Sequence, residues 1–290
     1  MRSLLFVPGN SAAKAAKALG SEADALILDL EDSVATTEKD HARRVVRDIL
    51  DGERQGKRIY VRVNALDTDL TLADLAAVMP GRPAGILLPK AGGAGDVARV
   101  SQWLDAFEAA HAAPPSSTRI IAIATETAAA LFELASYREA GPRLEGLLWG
   151  AEDLAASIGS LSNRNGTAYN GPSLMARNMC LVAAAAAGVM AIDAVFTGIR
   201  DLDGLGVEAE AGRRDGFTAK AVIHPSHITV VNAVFTPSAG EVAWAHKVVA
   251  LFSAPAAAGA LSLDGQMIDR PHLRMAERIL AQVPHEAGRS

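Results

Sequence analysis

The feature that most constrains the fold is a regular alternation of short apolar runs with longer runs rich in alanine and leucine. The short runs have the length of β-strands, and the longer runs have the spacing of helices. Eight predicted strands occur before residue 236, at 4–7, 25–30, 58–63, 85–89, 120–124, 146–149, 191–196 and 221–223. This alternation predicts an α/β fold of parallel strands with right-handed crossovers, closed into a (β/α)₈ barrel. An open doubly wound sheet is the alternative.

Helices are predicted between these strands, and the pattern changes after residue 235. The predicted helices span 12–19, 38–50, 70–79, 97–110, 128–137, 174–187 and 228–234, with a short helix in the loop after the seventh strand. Beyond them, Ser238 and Glu241 have the spacing of a capping box that begins a helix. A break follows at 253–260, and a last amphipathic helix opens at 267–274 and ends near 282.

These patterns predict two domains. We expect a catalytic barrel over 1–235 and a C-terminal helical extension over 236–290. The extension is not needed to close a barrel, so we expect it to pack on a neighbouring subunit or to cover the mouth of the site.

Composition excludes several classes of function. The chain has 290 residues, half of them hydrophobic, which is ample material for a large core. Its formal net charge is -5, and no segment supplies the clustered lysine and arginine that a general nucleic-acid surface needs. The single cysteine, Cys180, lies in an apolar helical run, so it forms no internal disulfide and is predicted to be buried.

No segment reads as a targeting or membrane-spanning sequence. The apolar run at the N-terminus stops at Pro8-Gly9, too early for the core of a signal peptide. The longest apolar run, 180–192, is shorter than the roughly 20 residues that a membrane helix needs. We therefore expect a cytoplasmic protein with no membrane partner.

Most of the predicted strands end in a polar or ionisable side chain. Barrel enzymes carry their chemistry at the C-terminal ends of several strands, so this pattern favours an active site at that face over loops that are merely polar. The strand-end residues are Asp29, Glu31, Arg62, Asn64, Lys90, Glu126, Asp153, Asp193 and His224.

Glu126 and Asp153 are the candidate metal ligands. Each follows a strand-length apolar run and precedes a predicted helix. If the two strands are neighbours, the carboxylates converge, and Mg²⁺ commonly takes one or two protein carboxylates while waters and substrate fill its remaining positions. Glu152 competes with Asp153 for this role, and the alternative is that either residue caps the following helix.

Arg62 is the candidate substrate-binding cation. Its alternation with neighbouring valines points it towards the barrel axis, where its planar fork suits a substrate carboxylate or a developing oxyanion. A structural ion pair with Asp29 or Glu31 is the alternative. The acidic cluster that Asp29, Glu31 and Asp32 form requires nearby cations or metal-bound waters, and Lys90 is one candidate.

Two further segments are weaker candidates. The loop at Gly9-Asn10 enters a helix that carries Lys14 and Lys17 about one turn apart, which could take phosphate groups of a ligand. No GxGxxG or Walker pattern supports this, and a solvated helix face is the alternative. His224 ends a strand before Pro225 and either faces a ligand or packs internally.

The chain resembles a known family through motifs that individually are weak but occur in a specific order. The citrate lyase beta subunit-like branch of the HpcH/HpaI aldolase superfamily, with citryl-CoA, malyl-CoA and citramalyl-CoA lyases, is similar over nearly the whole length. The motifs are Arg2-Ser-Leu-Leu-Phe-Val-Pro-Gly-Asn10, Leu28-Asp-Leu-Glu-Asp-Ser-Val34, Val61-Arg-Val-Asn64, Leu88-Pro-Lys90, Thr125-Glu-Thr127, Trp149-Gly-Ala-Glu-Asp-Leu154, Gly216-Phe217, Ile223-His-Pro225 and Met267-Ile-Asp269.

The resemblance implies an Mg²⁺-dependent barrel enzyme that assembles as a homotrimer or hexamer. It implies that Glu126 and Asp153 bind the metal, which favours Asp153 over Glu152. It also implies that Arg62 contacts the oxo acid and the reacting acyl oxygen. Asp269 is implied to reach the active site of an adjacent subunit.

The activity expected from the resemblance is cleavage or formation of a carbon–carbon bond in a 3-hydroxyacyl-CoA. Retro-Claisen cleavage would give an acyl-CoA and an α-oxo acid, namely oxaloacetate, pyruvate or glyoxylate, with Arg62 stabilising the oxyanion and Asp269 acting as general acid or base. The sequence leaves free CoA and a carrier protein open as the acyl carrier, with the extended tail favouring CoA. Asp29, Glu31, Lys90, Asn10, Lys14 and Lys17 are the further substrate-binding candidates.

Three other functions remain open at this point. A malyl-CoA-type thioesterase would use the same site to let water attack the thioester. A class II aldolase would cleave a free hydroxy-oxo acid without CoA. A non-catalytic subunit of a citrate lyase complex would keep the barrel but would have no use for clustered acids at its mouth.

Overall fold

The computed structural model describes residues 1–253 and 261–283. Most of the predicted helix break at 253–260 therefore lies outside the described residues. The described chain divides into two compact units, Met1–Asn232 and a second unit that begins at Ala233.

The first unit is a closed barrel, which confirms the predicted fold. Its eight strands pair in parallel all the way round, because the last barrel strand pairs with the first. The strands are β1 Ser3–Pro8, β2 Ala25–Asp29, β3 Arg58–Arg62, β4 Gly85–Leu88, β5 Arg119–Ile123, β6 Leu144–Leu148, β9 Met190–Asp193 and β10 Ala219–Val222. The remaining pair of this unit, β7 Arg164–Asn165 and β8 Ala168–Tyr169, forms a short antiparallel hairpin.

Alternation along the strands fills the barrel interior. The buried core inside the barrel includes Ile27, Tyr60, Leu87, Ile121 and Leu148, one from each of five consecutive strands. Residues on the opposite face of each strand pack against the helices. A packed interior of this kind leaves the strand ends, and not the barrel axis, as the place for a site.

Helices follow the strands around the barrel. The helices of this unit are α1 Ala12–Leu19, α2 Lys39–Asp51, α3 Thr71–Val78, α4 Ala94–Ala110, α5 Ala128–Glu133, α6 Glu152–Ser157, α7 Gly171–Ala187, α8 Leu202–Asp215 and α9 Ser226–Phe235, the last of which continues past Asn232. The prediction of a short helix after the seventh strand was wrong, since α8 has 14 residues. Its three glycines weaken the helical signal, while the Asp201 side chain caps its first turn. Helix α5 is shorter than predicted because the chain tightens into a 3₁₀ turn at Leu134–Glu139.

In 239–253 and 261–283, the part of the second unit that follows α9 and that the structure describes, two helices and a hairpin occur. Helix α10 spans Ala239–Phe252, and the predicted capping box between Ser238 and Glu241 is confirmed. The strands β11 Leu261–Leu263 and β12 Gln266–Ile268 pair in antiparallel fashion, so the last helix, α11 Arg270–Gln282, begins later than its predicted opening at 267. Ala245, Val248, Ile268 and Ala276 form the buried core of this unit.

Candidate active site

A cavity of about 500 Å³ opens at the carboxyl ends of the barrel strands. Its walls come from segments that end or follow β1, β2, β3, β5, β6, β9 and β10. Of the described residues, those lining it are Phe6, Val7, Pro8, Asp29, Asp32, Ser33, Arg62, Ile123, Glu126, Leu148, Trp149, Gly150, Ala151, Glu152, Asp153, Ala194, Val195 and Ile223. The cavity therefore lies at the face of the barrel for which the strand-end pattern predicts a site.

Glu126 is a nearly buried carboxyl in this cavity. Burial is the main influence on it, and the charges of Asp153 and Glu31 act in the same direction, so its pKa rises to about 8. The backbone N–H of Lys90 donates to Oε2 and opposes this rise. Burial disfavours the carboxylate form of Glu126, and a cation bound beside it would stabilise that form. The side chain is therefore suited to act as a ligand of a cation.

The position of Glu126 depends on the backbone of the two loops that follow β5 and β6. The Thr125 hydroxyl accepts a hydrogen bond from the N–H of Gly150 at 2.9 Å, which joins the loop after β5 to the loop after β6. A Cβ at Gly150 would lie only 2.6 Å from Cγ of Glu126. Glycine is therefore required at 150 for the carboxyl to keep this position.

Asp153 lies in the first turn of α6 and faces the same cavity. Lys90 Nζ is 3.6 Å from its Oδ1. The residue at the N-cap of α6 is Ala151, so neither Glu152 nor Asp153 is the helix cap. Glu152 also lines the cavity, but its Oε1 accepts a hydrogen bond from Asn163 Nδ2 at 2.8 Å.

Arg62 is both a cavity residue and the centre of an ion-pair network. Nε and Nη2 donate to the two oxygens of Asp29, each at 2.7 Å, and Nη1 lies 2.8 Å from Oε2 of Glu31. The bidentate pair uses two of the five guanidinium N–H groups, so donor capacity remains for a substrate. The structural ion pair with Asp29 is therefore present, and the binding of substrate by Arg62 stays a prediction.

Lys90 joins the acidic cluster to the metal-ligand candidates. Its ammonium pairs with Glu31, and its backbone adopts the left-handed conformation, with φ of 51°. Burial acts to lower its pKa, but Glu31 and Asp153 outweigh this and raise it well above its usual value. Lys90 and Glu31 are not among the described residues that line the cavity, so their role in binding substrate stays a prediction.

The pair Glu126 and Asp153 fits a hard divalent cation. Both donors are carboxylate oxygens from segments that follow adjacent strands, since β5 pairs with β6, and Mg²⁺ takes few protein ligands. No group of three or more His, Cys, Asp and Glu side chains arranged to hold a metal occurs in 1–253 or 261–283. A site of two protein carboxylates leaves positions for waters or for a chelating substrate.

The residues proposed for phosphate binding lie outside the cavity lining. Lys14 and Lys17 are exposed on α1, and Ser11 caps that helix by accepting from the N–H of Lys14 at 3.4 Å. Asn10 is partly buried in the preceding loop. His224 bonds to the Ser226 hydroxyl at 2.7 Å, a local contact at the start of α9.

Two of the polar strand ends are structural. Asn64 is buried and accepts a hydrogen bond from Lys39 at 2.8 Å. Asp193 is fully buried and lies between Arg177, at 3.1 Å, and Lys220, at 3.3 Å. Burial of a polar amide with a hydrogen-bond donor explains Asn64, and burial of a carboxylate between two cations explains Asp193.

The hairpin β7–β8 and the residue before it contact the segment that joins β6 to α6, and the sequence did not reveal these contacts. Asn163 holds Glu152, and the ring of Tyr169 meets that of Trp149 edge to face, with centroids 4.8 Å apart. The Trp149 indole N–H donates to Asp193 at 2.7 Å. These contacts involve Trp149 and Glu152, which precede Asp153 in the chain. The only signal for them in the sequence was the polar segment 162–170 that follows α6.

The fold and the cavity together define a class of protein: a (β/α)₈ barrel with an acidic pair suited to a metal and a partly buried arginine at its C-terminal face. The profile of the HpcH/HpaI aldolase/citrate lyase family matches residues 2–225, and the chain belongs to that family. No helix in 1–253 or 261–283 is both long and apolar enough to cross a membrane.

Similar proteins and solved structures support membership of the same family. The (3S)-malyl-CoA thioesterase of Cereibacter sphaeroides strain KD131 is 36% identical over 284 residues, which is 97% of this chain and 94% of the relative. The crystal structure of CitE from Mycobacterium tuberculosis with magnesium, acetoacetate and coenzyme A is 35% identical, covers 97% of both chains and has a TM-score of 0.78. The citrate lyase beta subunit of the same organism, complexed with oxaloacetate and magnesium, is 35% identical with a TM-score of 0.69 over 81% of this chain and 96% of that one.

Proposed function

We propose that this protein is a cytoplasmic, Mg²⁺-dependent carbon–carbon lyase that cleaves, or in reverse forms, a 3-hydroxyacyl-CoA. The observation that carries the proposal is the meeting of Glu126, Asp153 and Arg62 in one cavity at the C-terminal face. Relatives that share at least 35% identity hold magnesium with coenzyme A or with an oxo acid. The products would be an acyl-CoA and an α-oxo acid.

The reaction needs a metal ion to chelate the hydroxy-acid part of the substrate and a cationic side chain to stabilise the oxyanion that develops. Glu126 and Asp153 would hold Mg²⁺, which supplies Lewis acidity that lowers the cost of ionising the substrate hydroxyl. The remaining donors of Arg62 would bind the oxygen at which negative charge develops as the carbon–carbon bond breaks. Asp29 and Glu31 keep that guanidinium fixed in advance, so little reorganisation accompanies the charge shift.

A proton must reach the carbon that leaves as the enolate of the acyl-CoA. We assign this step to Asp269 of a neighbouring subunit in a homotrimer or hexamer. Within its own chain Asp269 begins α11, where its Oδ1 lies 2.6 Å from Nδ1 of His272. That contact positions the carboxyl and leaves it more than a third exposed.

Coenzyme A is the proposed acyl carrier. Asn10, Lys14 and Lys17 lie at the loop and first turns of α1, which begins directly after β1 reaches the cavity face. Exposed ammonium groups there would pair with phosphates without occupying the reacting end of the site. A relative was crystallised with coenzyme A, which favours the free cofactor over a carrier protein.

Thioester hydrolysis is the second candidate, because a relative at 36% identity is named a malyl-CoA thioesterase. The same cavity would then admit water to the thioester carbonyl. Hydrolysis releases the CoA thiol and leaves the hydroxy-diacid intact, whereas lysis releases an oxo acid and leaves the thioester intact. The two reactions are therefore separated by their products.

A product assay tests the proposal directly. Malyl-CoA, citramalyl-CoA and citryl-CoA are incubated with the protein, with and without Mg²⁺, and oxo acid and free thiol are followed separately. We expect Mg²⁺-dependent oxo acid without stoichiometric thiol. Thiol without oxo acid would replace the lyase with the thioesterase.

Substitution of the metal pair gives a second arm to the same test. Glu126→Gln and Asp153→Asn are expected to lose Mg²⁺-dependent turnover by at least about a hundredfold while keeping their far-ultraviolet circular dichroism. Glu139→Gln, at an exposed carboxyl that does not line the cavity, is the matched control and should keep full activity. Full activity in either cavity variant would refute the metal assignment.

A further inference from the structure

We propose that Tyr169 and Asn163 are positioning residues, which fix the proposed metal ligand Asp153 by holding the segment 149–153. Tyr169 belongs to the hairpin β7–β8, and Asn163 directly precedes it. Neither is among the described residues that line the cavity, so neither is expected to touch the metal or the substrate. The proposal rests on the proposed function, because it concerns how tightly the protein binds the Mg²⁺ that the function requires.

The carboxylate of Asp153 depends on its backbone for its position. The side chain is 38% exposed, and its contact with Lys90, at 3.6 Å, is longer than a hydrogen bond. Helix α6, which carries it, has six residues, and Ala151 at the N-cap has no polar group with which to cap the first turn. Contacts made by the neighbouring residues of 149–153 therefore determine where this carboxylate lies.

Trp149 is the largest side chain of this segment, and it is fully buried. Its indole N–H donates to Oδ1 of Asp193 at 2.7 Å. A single hydrogen bond leaves a ring free to rotate about it, so a second contact is needed to fix the plane of the indole. The edge-to-face contact with Tyr169, at 4.8 Å between centroids, provides one.

Asn163 holds the same segment at a second residue. Its Nδ2 donates to Oε1 of Glu152 at 2.8 Å, and a hydrogen bond to a carboxylate is stronger than one between neutral groups. Because Glu152 directly precedes Asp153, this bond restrains the turn on which Asp153 lies. It also engages one oxygen of Glu152, the carboxylate that competes with Asp153 for the metal.

Tyr169 is itself held in place by charged partners. The guanidinium carbon of Arg164 lies 4.0 Å from the centroid of the Tyr169 ring, which is the geometry of a cation–π contact. Arg164 pairs with Glu208 of α8 at 2.6 Å, and the Tyr169 hydroxyl donates to the same carboxylate at 3.2 Å. The ring that contacts Trp149 is therefore fixed to a long helix of the barrel.

The partners of Tyr169 and of Trp149 meet at a fully buried lysine. Nζ of Lys220 lies 2.9 Å from Glu208 and 3.3 Å from Asp193. Buried ion pairs add little net stability compared with apolar side chains of the same volume, but they can fix one geometry. This arrangement is therefore suited to positioning. The contacts form a closed ring through Trp149, Asp193, Lys220, Glu208 and Tyr169.

Binding of Mg²⁺ alone, measured by isothermal titration calorimetry, tests the proposal without turnover. Tyr169→Leu keeps bulk but loses the aromatic edge, and we expect it to weaken Mg²⁺ binding by about two- to tenfold, the range that one aromatic pair contributes. Asn163→Ala leaves that pair intact and should weaken binding by at least about twofold. It carries the same test if Tyr169→Leu fails to fold.

Two matched variants serve as controls. Tyr169→Phe keeps the ring, and Thr167→Ala changes an exposed residue of the hairpin turn. Both should bind Mg²⁺ as tightly as the wild type. Unchanged Mg²⁺ binding in Tyr169→Leu or in Asn163→Ala would overturn the positioning role of that residue.

A spectroscopic readout separates positioning from a general loss of stability. The chain has three tryptophans, so Trp103→Phe and Trp244→Phe together leave Trp149 as the remaining one. In this background and without metal, Tyr169→Leu should make the emission of Trp149 easier to quench with acrylamide, and Tyr169→Phe should not. Weaker Mg²⁺ binding with unchanged quenching would show that Tyr169 does not act through Trp149, and would overturn the proposal.

The outcomes distinguish this proposal from the lyase itself. Weaker Mg²⁺ binding in Tyr169→Leu and Asn163→Ala, in a protein that cleaves no thioester, would support the positioning role and refute the lyase. Unchanged Mg²⁺ binding in both variants of a protein that does cleave thioesters would refute the positioning role and leave the lyase intact. A wild-type protein that binds no Mg²⁺ would refute both.

Discussion

A single glycine determines whether Glu126, one of the two proposed metal ligands, can keep its position in the cavity. A Cβ at Gly150 would lie 2.6 Å from Cγ of Glu126 and 3.3 Å from Cγ2 of Ile123, so an alanine there must push the carboxyl or the loop away. We expect Gly150→Ala to weaken Mg²⁺ binding by roughly tenfold or more. Isothermal titration calorimetry measures this without any assay of turnover.

Gly95 provides the matched control for that substitution. It lies in α4, and a Cβ there would meet nothing within 4 Å. Gly95→Ala should bind Mg²⁺ as tightly as wild type and gain about 0.5–1 kcal/mol of stability, because alanine favours the helix. Unchanged Mg²⁺ binding in Gly150→Ala would show that Glu126 does not need its present position.

Sequence patterns at the residue scale identified the side chains at strand ends but not their partners. Glu126, Asp153 and Arg62 could be predicted because each follows a buried strand of a parallel barrel. The pairing of Lys90 with Glu31 depends on contacts between residues far apart in the chain. The burial of Asp193 beside Lys220 is of the same kind, and a strand-end carboxylate looks identical in sequence whether it faces a cavity or a helix.

At the scale of elements, helix α4 is joined to the amino ends of β5 and β6 by a buried ion pair. Both oxygens of Glu108 accept from Arg143, at 2.8 and 2.6 Å, and the N–H of Thr118 donates at 2.8 Å. Burial acts to raise the carboxyl pKa, but these donors outweigh it and lower the pKa to about 2 from 4.5. Lying opposite the cavity face, this pair is expected to stabilise the fold and not to act in catalysis.

The lowered pKa gives a stability prediction with a definite sign. A carboxyl with a lower pKa in the folded state stabilises the fold above pH 4.5 and loses that contribution as pH falls towards 2. The two values imply up to about 3 kcal/mol. Urea unfolding of wild type and Glu108→Gln should therefore differ most at pH 7, differ less as pH falls below 4.5, and converge only at about pH 2 and below. A difference that does not depend on pH would contradict the assignment.

The sequence predicted the order of the barrel strands and helices more closely than it predicted the length of α8 or the two short hairpins. Eight strands and the helices that follow them could be predicted because short apolar runs of strand length alternate along the chain with longer runs of helical spacing. Helix α8 was underestimated because glycines mask its pattern, and the hairpins β7–β8 and β11–β12 were missed because strands of two or three residues carry no periodicity. Such short pairs are determined by tertiary contacts.

At the scale of the whole molecule, exposed apolar side chains favour the proposed assembly. Met175, Met179 and Val182 recur on one face of α7 with the spacing of successive helical turns, and all three are exposed in the single chain. Phe132 is also exposed, at 87% of its surface. An exposed apolar helix face of this kind is typical of a protein–protein interface.

Mixed oligomers test whether two subunits share one active site. We expect Arg62→Ala and Asp269→Asn each to abolish activity, because one removes the oxyanion donor and the other the proton-transferring carboxyl. Asparagine is chosen at 269 because it preserves a cap for α11, where Asp269 now contacts His272. Co-refolding the two inactive proteins should restore partial activity, since some sites then receive an intact Arg62 from one chain and an intact Asp269 from another. Sequential affinity purification through a different tag on each variant isolates the mixed oligomers, and no recovery in such oligomers would show that Asp269 serves its own chain or none.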